Sequence, residues 1–74
     1  MKTIYLGIDA MRQILTPDAF DVYMRCFNAV YLVLHAGGSY WYEIHDGLTS
    51  DVVQVFYSTK ALDNYYLKMK EVTP

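Results

Sequence analysis

A near-continuous hydrophobic run occupies the middle of the chain, and hydrophobic positions recur with a period near 3.6 in segments on either side of it. The central stretch 29–44, AVYLVLHAGGSYWYEI, is rich in Val, Leu, Tyr and Trp on both sides of Gly37-Gly38. A glycine pair between two such runs predicts a β-hairpin, because a two-residue primed turn needs positive φ at one or both central positions. Centred between the two glycines, the hairpin pairs Leu34 with Trp41, Val33 with Tyr42, Leu32 with Glu43 and Tyr31 with Ile44. Alternation then places Val30, Leu32, Leu34 and Trp41 on one face and Tyr31, Val33, Tyr40, Tyr42 and Ile44 on the other. Neither face is polar, which predicts that both are covered, one of them by another molecule.

The flanking segments complete the fold. Thr3 to Gly7, TIYLG, is β-prone, and Asp9 is placed to cap a short helical turn over Ala10 to Leu15. Thr16-Pro17-Asp18 is a helix start: a capping hydroxyl, a proline whose missing N–H costs nothing, and an acid at the positive end of the dipole. Phe20, Tyr23, Met24 and Phe27 follow at i, i+3, i+4 and i+7 as an inward stripe, with Asn28 as the stop. A single long helix reaching Ala36 is the competing parse, but Val30 to Leu34 is β-branched and aromatic with no polar face.

Beyond the loop His45 to Ser50, Asp51 to Tyr57 (DVVQVFY) reads as a third strand of the meander. Pairing Glu43 with Val53 places Val53, Val55 and Tyr57 with Leu32, Leu34 and Trp41, and Val52, Gln54 and Phe56 with Tyr40 and Tyr42. A one-residue slip in the loop swaps these faces. Ser58 or Thr59 caps a last helix with Leu62, Tyr65, Tyr66 and Met69 inward and Lys60, Asp63, Asn64, Lys68 and Lys70 outward. The expected architecture is therefore α+β in one domain over residues 1–74: a three- to four-stranded antiparallel sheet, a meander around the Gly-Gly hairpin, packed on one face by two amphipathic helices.

Composition narrows what such a domain does. A hydrophobic content of 54% with eight tyrosines excludes a disordered polar tail. A chain of 74 residues buries only about 60% of its unfolded surface, so a partner or a dimer helps it. The formal charge of -2 gives no pull toward phosphate, and nucleic acid is not an expected partner. A single cysteine, Cys26, forms no internal disulfide, which fits a reducing, cytoplasmic setting. No run approaches the ~20 apolar residues of a membrane span.

No motif points to catalysis, a cofactor or a metal. The best candidate is Glu43 and His45 on one strand face with Asp51 opposite, a trio able to bind a metal or shuttle a proton. Set against it, polar residues belong at a strand end beside a loop. Lys60, Lys68 and Lys70 are interleaved with Asp63 as on an ordinary solvated face. Tyr40-Trp41-Tyr42 lacks the basic neighbours of an RNA-stacking sheet. Cys26 lies toward the C-terminal end of its helix, away from where a reactive thiolate is stabilised.

Tyrosines on an uncovered sheet face are what protein-binding surfaces are made of. The sequence therefore predicts a non-enzymatic interaction protein, a homodimer or a binder of a larger protein, docking through Tyr31, His35, Tyr40, Tyr42 and Gln54, with Trp41 holding the core behind. In size and layout the chain resembles the small α+β inhibitors that phages direct against host defence systems such as CRISPR effectors. That resemblance implies a stoichiometric protein inhibitor.

Overall fold

The computed structural model describes residues 1–72. The elements run β1 (Lys2–Leu6), α1 (Ile8–Ile14), α2 (Pro17–Arg25), β2 (Asn28–Leu34), β3 (Tyr40–Asp46), β4 (Val52–Phe56) and α3 (Thr59–Val72). The four strands form one antiparallel sheet in the order β1-β2-β3-β4. The α+β class, the meander and the one-sided helical cover are those the sequence predicts, with α1 added to the helical layer.

Periodicity explains most of the elements, and neighbouring groups decide their ends. In α1, Asp9 lies in the first turn and does not cap; Gly7 precedes the helix, and its carbonyl accepts from the Met11 N–H at 3.0 Å. Pro17 opens α2 at the position where it loses no hydrogen bond. The Thr16 hydroxyl does not cap this helix. It and the Thr16 N–H donate instead to the Asp63 carboxylate of α3, at 3.0 and 2.8 Å, so a half-buried acid ties the start of α2 to α3. The inward stripe of α2 also differs from the expected one. Ala19 and Tyr23 are buried while Met24 is exposed, and the chain turns extended at Cys26, which leaves Phe27 outside the helix and exposed. Asn28, expected as the helix stop, is the first residue of β2, and its side-chain oxygen accepts from the Tyr66 hydroxyl at 3.3 Å.

Leu6, Met11, Leu15, Ala19, Tyr23, Val30, Tyr42, Ile44, Leu62 and Tyr66 form the core, drawing on all three helices and on one face of the sheet. Tyr66, Met11 and Ile44 are among its fully buried side chains. Each such residue contributes about 1.5–3 kcal/mol of transfer free energy.

The hairpin register corrects the sequence reading by one residue. The last ladder pair is Leu34 with Tyr40, followed inward by Val33 with Trp41, Leu32 with Tyr42 and Tyr31 with Glu43. The loop is centred on Gly37 and not between the two glycines. Its closing bond runs from the His35 N–H to the Ser39 carbonyl at 2.8 Å, and Gly37 and Gly38 both sit at φ +89°, a conformation that glycine alone adopts freely. Because side chains alternate, this slip reverses the whole of β3 relative to β2. Tyr40, Tyr42 and Ile44 turn to the helical side with Val30 and Leu32, and Trp41, Glu43 and His45 join Tyr31 and Val33 on the open side. The expectation that Trp41 holds the core is thereby overturned.

Between β3 and β4 the shift from the expected register is two residues, Glu43 pairing with Val55. An even shift preserves faces, so Gln54 and Phe56 stay with Tyr42 and Val55 stays with Trp41, but Val52, expected with Tyr42, pairs with His45 and moves to the open side. The ladder is irregular between Ile44–Gln54 and His45–Val52, leaving Val53 as an extra residue in a bulge.

Candidate protein-docking face

The side of the sheet opposite the core carries two groups of rings. Tyr5 on β1 meets Tyr31 on β2 edge-on, with centroids 5.5 Å apart, and Tyr31 meets the His45 ring of β3 at 4.6 Å. Further along β3, Trp41 lies 5.5 Å from the His35 ring of the hairpin loop and 6.5 Å from Tyr57 just beyond β4. Beneath these rings Val33 is only 2% exposed, although it lies outside the helix-packed core cluster. Side chains of the face itself therefore shield the sheet, and their own outer surfaces remain open: Tyr5 is 61% exposed, Tyr57 72%, and Val53 and Val55 are also exposed.

A polar cluster sits between the two groups of rings. Glu43 accepts from the Trp41 indole N–H through Oε2 at 2.8 Å, and its Oε1 lies 3.0 Å from His45 Nε2. His45 Nδ1 lies 3.2 Å from the Ser50 carbonyl. Carboxylate and carbonyl are both acceptors, so both imidazole contacts are hydrogen bonds together only when both ring nitrogens carry protons. The Trp41 N–H, then the His45 ring, hold the Glu43 carboxyl below its ordinary range, against a smaller opposing effect of burial. Each oxygen of Glu43 thus has a side-chain partner on the face itself.

The predicted docking residues divide between the two sides. Tyr31 lies on the open face, and His35 flanks it from the loop. Tyr42 is instead a core residue, 6% exposed, with its hydroxyl 3.0 Å from Thr59 Oγ1. Tyr40 and Gln54 are exposed but belong to the helical side by their pairing with Leu34 and Ile44. Tyr5, Trp41, Val55 and Tyr57, absent from the predicted set, take their place. The alternation in TIYLG and DVVQVFY carried a signal for Tyr5 and Tyr57. Trp41 was hidden by the register slip.

Among the alternatives, Glu43 and His45 are brought together, but Asp51 does not complete a trio. No group of three or more His, Cys, Asp or Glu side chains among the described residues is placed to hold a metal ion. Burial pushes the Cys26 thiol up, away from thiolate reactivity, and its Sγ lies 3.8 Å from the Met69 sulfur. A groove of about 320 Å³ beside α3 is lined by Phe56, Ala61, Asn64, Tyr65 and Lys68, with no carboxylate or imidazole. No helix among the described residues is long and apolar enough to cross a membrane.

No family model, curated protein or solved structure matches this chain.

Proposed function

We propose that the chain is a non-enzymatic protein-interaction module and that the open sheet face, with Tyr5, Tyr31, Trp41, Val55 and Tyr57, is its docking surface. One observation carries this reading: two groups of rings, Tyr5 with Tyr31 and His45, and Trp41 with His35 and Tyr57, lie on the side of the sheet away from the core, and Tyr5 and Tyr57 are exposed. Aromatic rings are enriched at protein interfaces because they bury large areas with few rotatable bonds, and Trp and Tyr recur among the residues that dominate binding energy. The strand positions on this face include no Lys or Arg and a single carboxylate, Glu43, so a protein surface suits it better than a polyanion.

A photo-crosslinking residue at position 57, compared with one at the exposed loop position 48, tests the reading in the cells that make the protein. The expected result is protein adducts, with this chain or with another, from position 57 and not from position 48. Equal labelling at both positions, or none at either, would refute it.

A further inference from the structure

We infer that His45 is a pH-sensitive clasp: with both ring nitrogens protonated it fastens the β3–β4 loop to Glu43, and loss of one proton releases that loop at Ser50. The clasp works whether or not the face above is occupied. Both ring nitrogens face acceptors. Nε2 lies 3.0 Å from the Glu43 carboxylate, and Nδ1 lies 3.2 Å from the Ser50 carbonyl oxygen. A neutral imidazole has a single N–H, so it can serve only one of them. The carboxylate is the stronger, charge-assisted partner. The remaining proton therefore stays toward Glu43, and Nδ1 turns a lone pair on the Ser50 carbonyl. A contact that holds the loop becomes one that pushes it away.

Ser50 is also a residue that needs holding. Its φ of 65° is the one positive φ among the described non-glycine residues, a conformation that L residues adopt at a cost and keep where neighbours impose it. Two bonds restrain it, from its own N–H to the Asp46 carbonyl at 2.8 Å and from the His45 ring to its carbonyl. The rest of the loop closes on Asp46, whose Oδ1 accepts from the Leu48 and Thr49 N–H groups. Around the ring, β2 presents Ala29 and the Tyr31 phenol, whose ring centroid is 4.6 Å away, and β4 presents Val52. The charged groups nearby along the chain are the carboxylates Glu43, Asp46 and Asp51. Among the described residues no Lys or Arg occupies a strand position on this side, so no cation opposes a charged ring. The Trp41 N–H, then the His45 ring, hold the Glu43 carboxyl below its ordinary range, which keeps it a charged acceptor where histidines change protonation.

NMR of the purified full chain from about pH 5 to about pH 8 tests the clasp. At the acid end both His45 nitrogens should carry protons, and with rising pH Nδ1 should lose its own. Protection of the Ser50 and Asp51 amides from solvent exchange, corrected for the intrinsic rate, should fall about 10-fold or more with the same midpoint. The Val33 amide, in the central strand β2, is the reference and should show no such step. His35→Gln removes the other histidine and should leave the step in place. His45→Gln and His45→Phe should each abolish it, the second while keeping a ring against Tyr31. A step that survives replacement of His45 would overturn the inference, as would wild-type midpoints that differ between the His45 ring and the Ser50 amide, or a neutral ring that keeps its proton on Nδ1. The wild-type midpoints decide the matter even where a His45 variant fails to fold.

Discussion

Replacing Tyr42 and Tyr40 separately by alanine distinguishes the observed hairpin register from the one centred between the two glycines. Tyr42 is 6% exposed within the core and Tyr40 is 41% exposed on the same side of β3. Removing a buried aromatic side chain costs about 3–5 kcal/mol. A chain of this size is stable by about 4–11 kcal/mol at the usual value per residue, so Tyr42→Ala should lose a large share of its stability. Tyr40→Ala should cost no more than about 1.5 kcal/mol, chiefly its edge-on contact with the Tyr42 ring at 5.9 Å. Tyr42→Phe refines the comparison. It deletes only the hydroxyl facing Thr59 Oγ1 at 3.0 Å and should cost about 1 kcal/mol, or 4–8 °C in Tm. Urea unfolding followed by Trp41 fluorescence, with thermal circular dichroism alongside, measures all three. Equal losses from Tyr42→Ala and Tyr40→Ala would refute the register, because that is how two tyrosines on one uncovered face behave.

Other predictions concern single contacts. Asp63→Ala removes the acceptor for the Thr16 N–H and hydroxyl and should cost about 1–2 kcal/mol in urea unfolding, with Asp63→Asn intermediate. Because folding lowers the Glu43 carboxyl below its ordinary value of 4.5, its contribution to stability is complete above that pH and is lost as pH falls further through the folded-state value. A urea-midpoint series from neutral to acid should therefore fall less steeply for Glu43→Gln than for the wild type. Gly47→Ala places a methyl group 2.8 Å from the Phe27 carbonyl oxygen, which the Gly47 N–H itself holds at 2.8 Å. The exposed Phe27 ring can swing aside but that carbonyl cannot, so a loss of about 1–3 kcal/mol is expected by thermal melting.

How far the sequence discloses this fold depends on how each segment is pinned. The α3 stripe of Leu62, Tyr65, Tyr66 and Met69 is legible because it repeats over several turns and has polar residues between. In α2 the same arithmetic misplaces Met24 and Phe27, since the helix ends at Arg25 and its buried positions are Ala19 and Tyr23. The hairpin strands are legible in type and not in face. Gly37-Gly38 marks the bend, but whether the bend is centred on a glycine or between the two depends on loop hydrogen bonds such as His35 N–H to Ser39, which composition does not encode. That single residue moved Tyr42 from the expected docking surface to the core and exchanged it for Trp41. The two-residue displacement of β4 left Gln54, Val55 and Phe56 on their expected faces, because the side-chain period is two, and only the irregularity beside His45 moved Val52 to the other side. The Glu43–His45 contact was legible from i, i+2 spacing on a strand; the indole N–H that completes it was not.

The most direct test of the open aromatic face is the effect of a soluble paramagnetic cosolute on the NMR signals of Val33, Val53, Val55, Tyr5 and Tyr57 in dilute solution. Strong broadening of Val53, Val55, Tyr5 and Tyr57 and weak broadening of Val33 are expected. Broadening of Val33 equal to that of Val55, or protection of the Tyr5 and Tyr57 rings, would contradict the placement of the face.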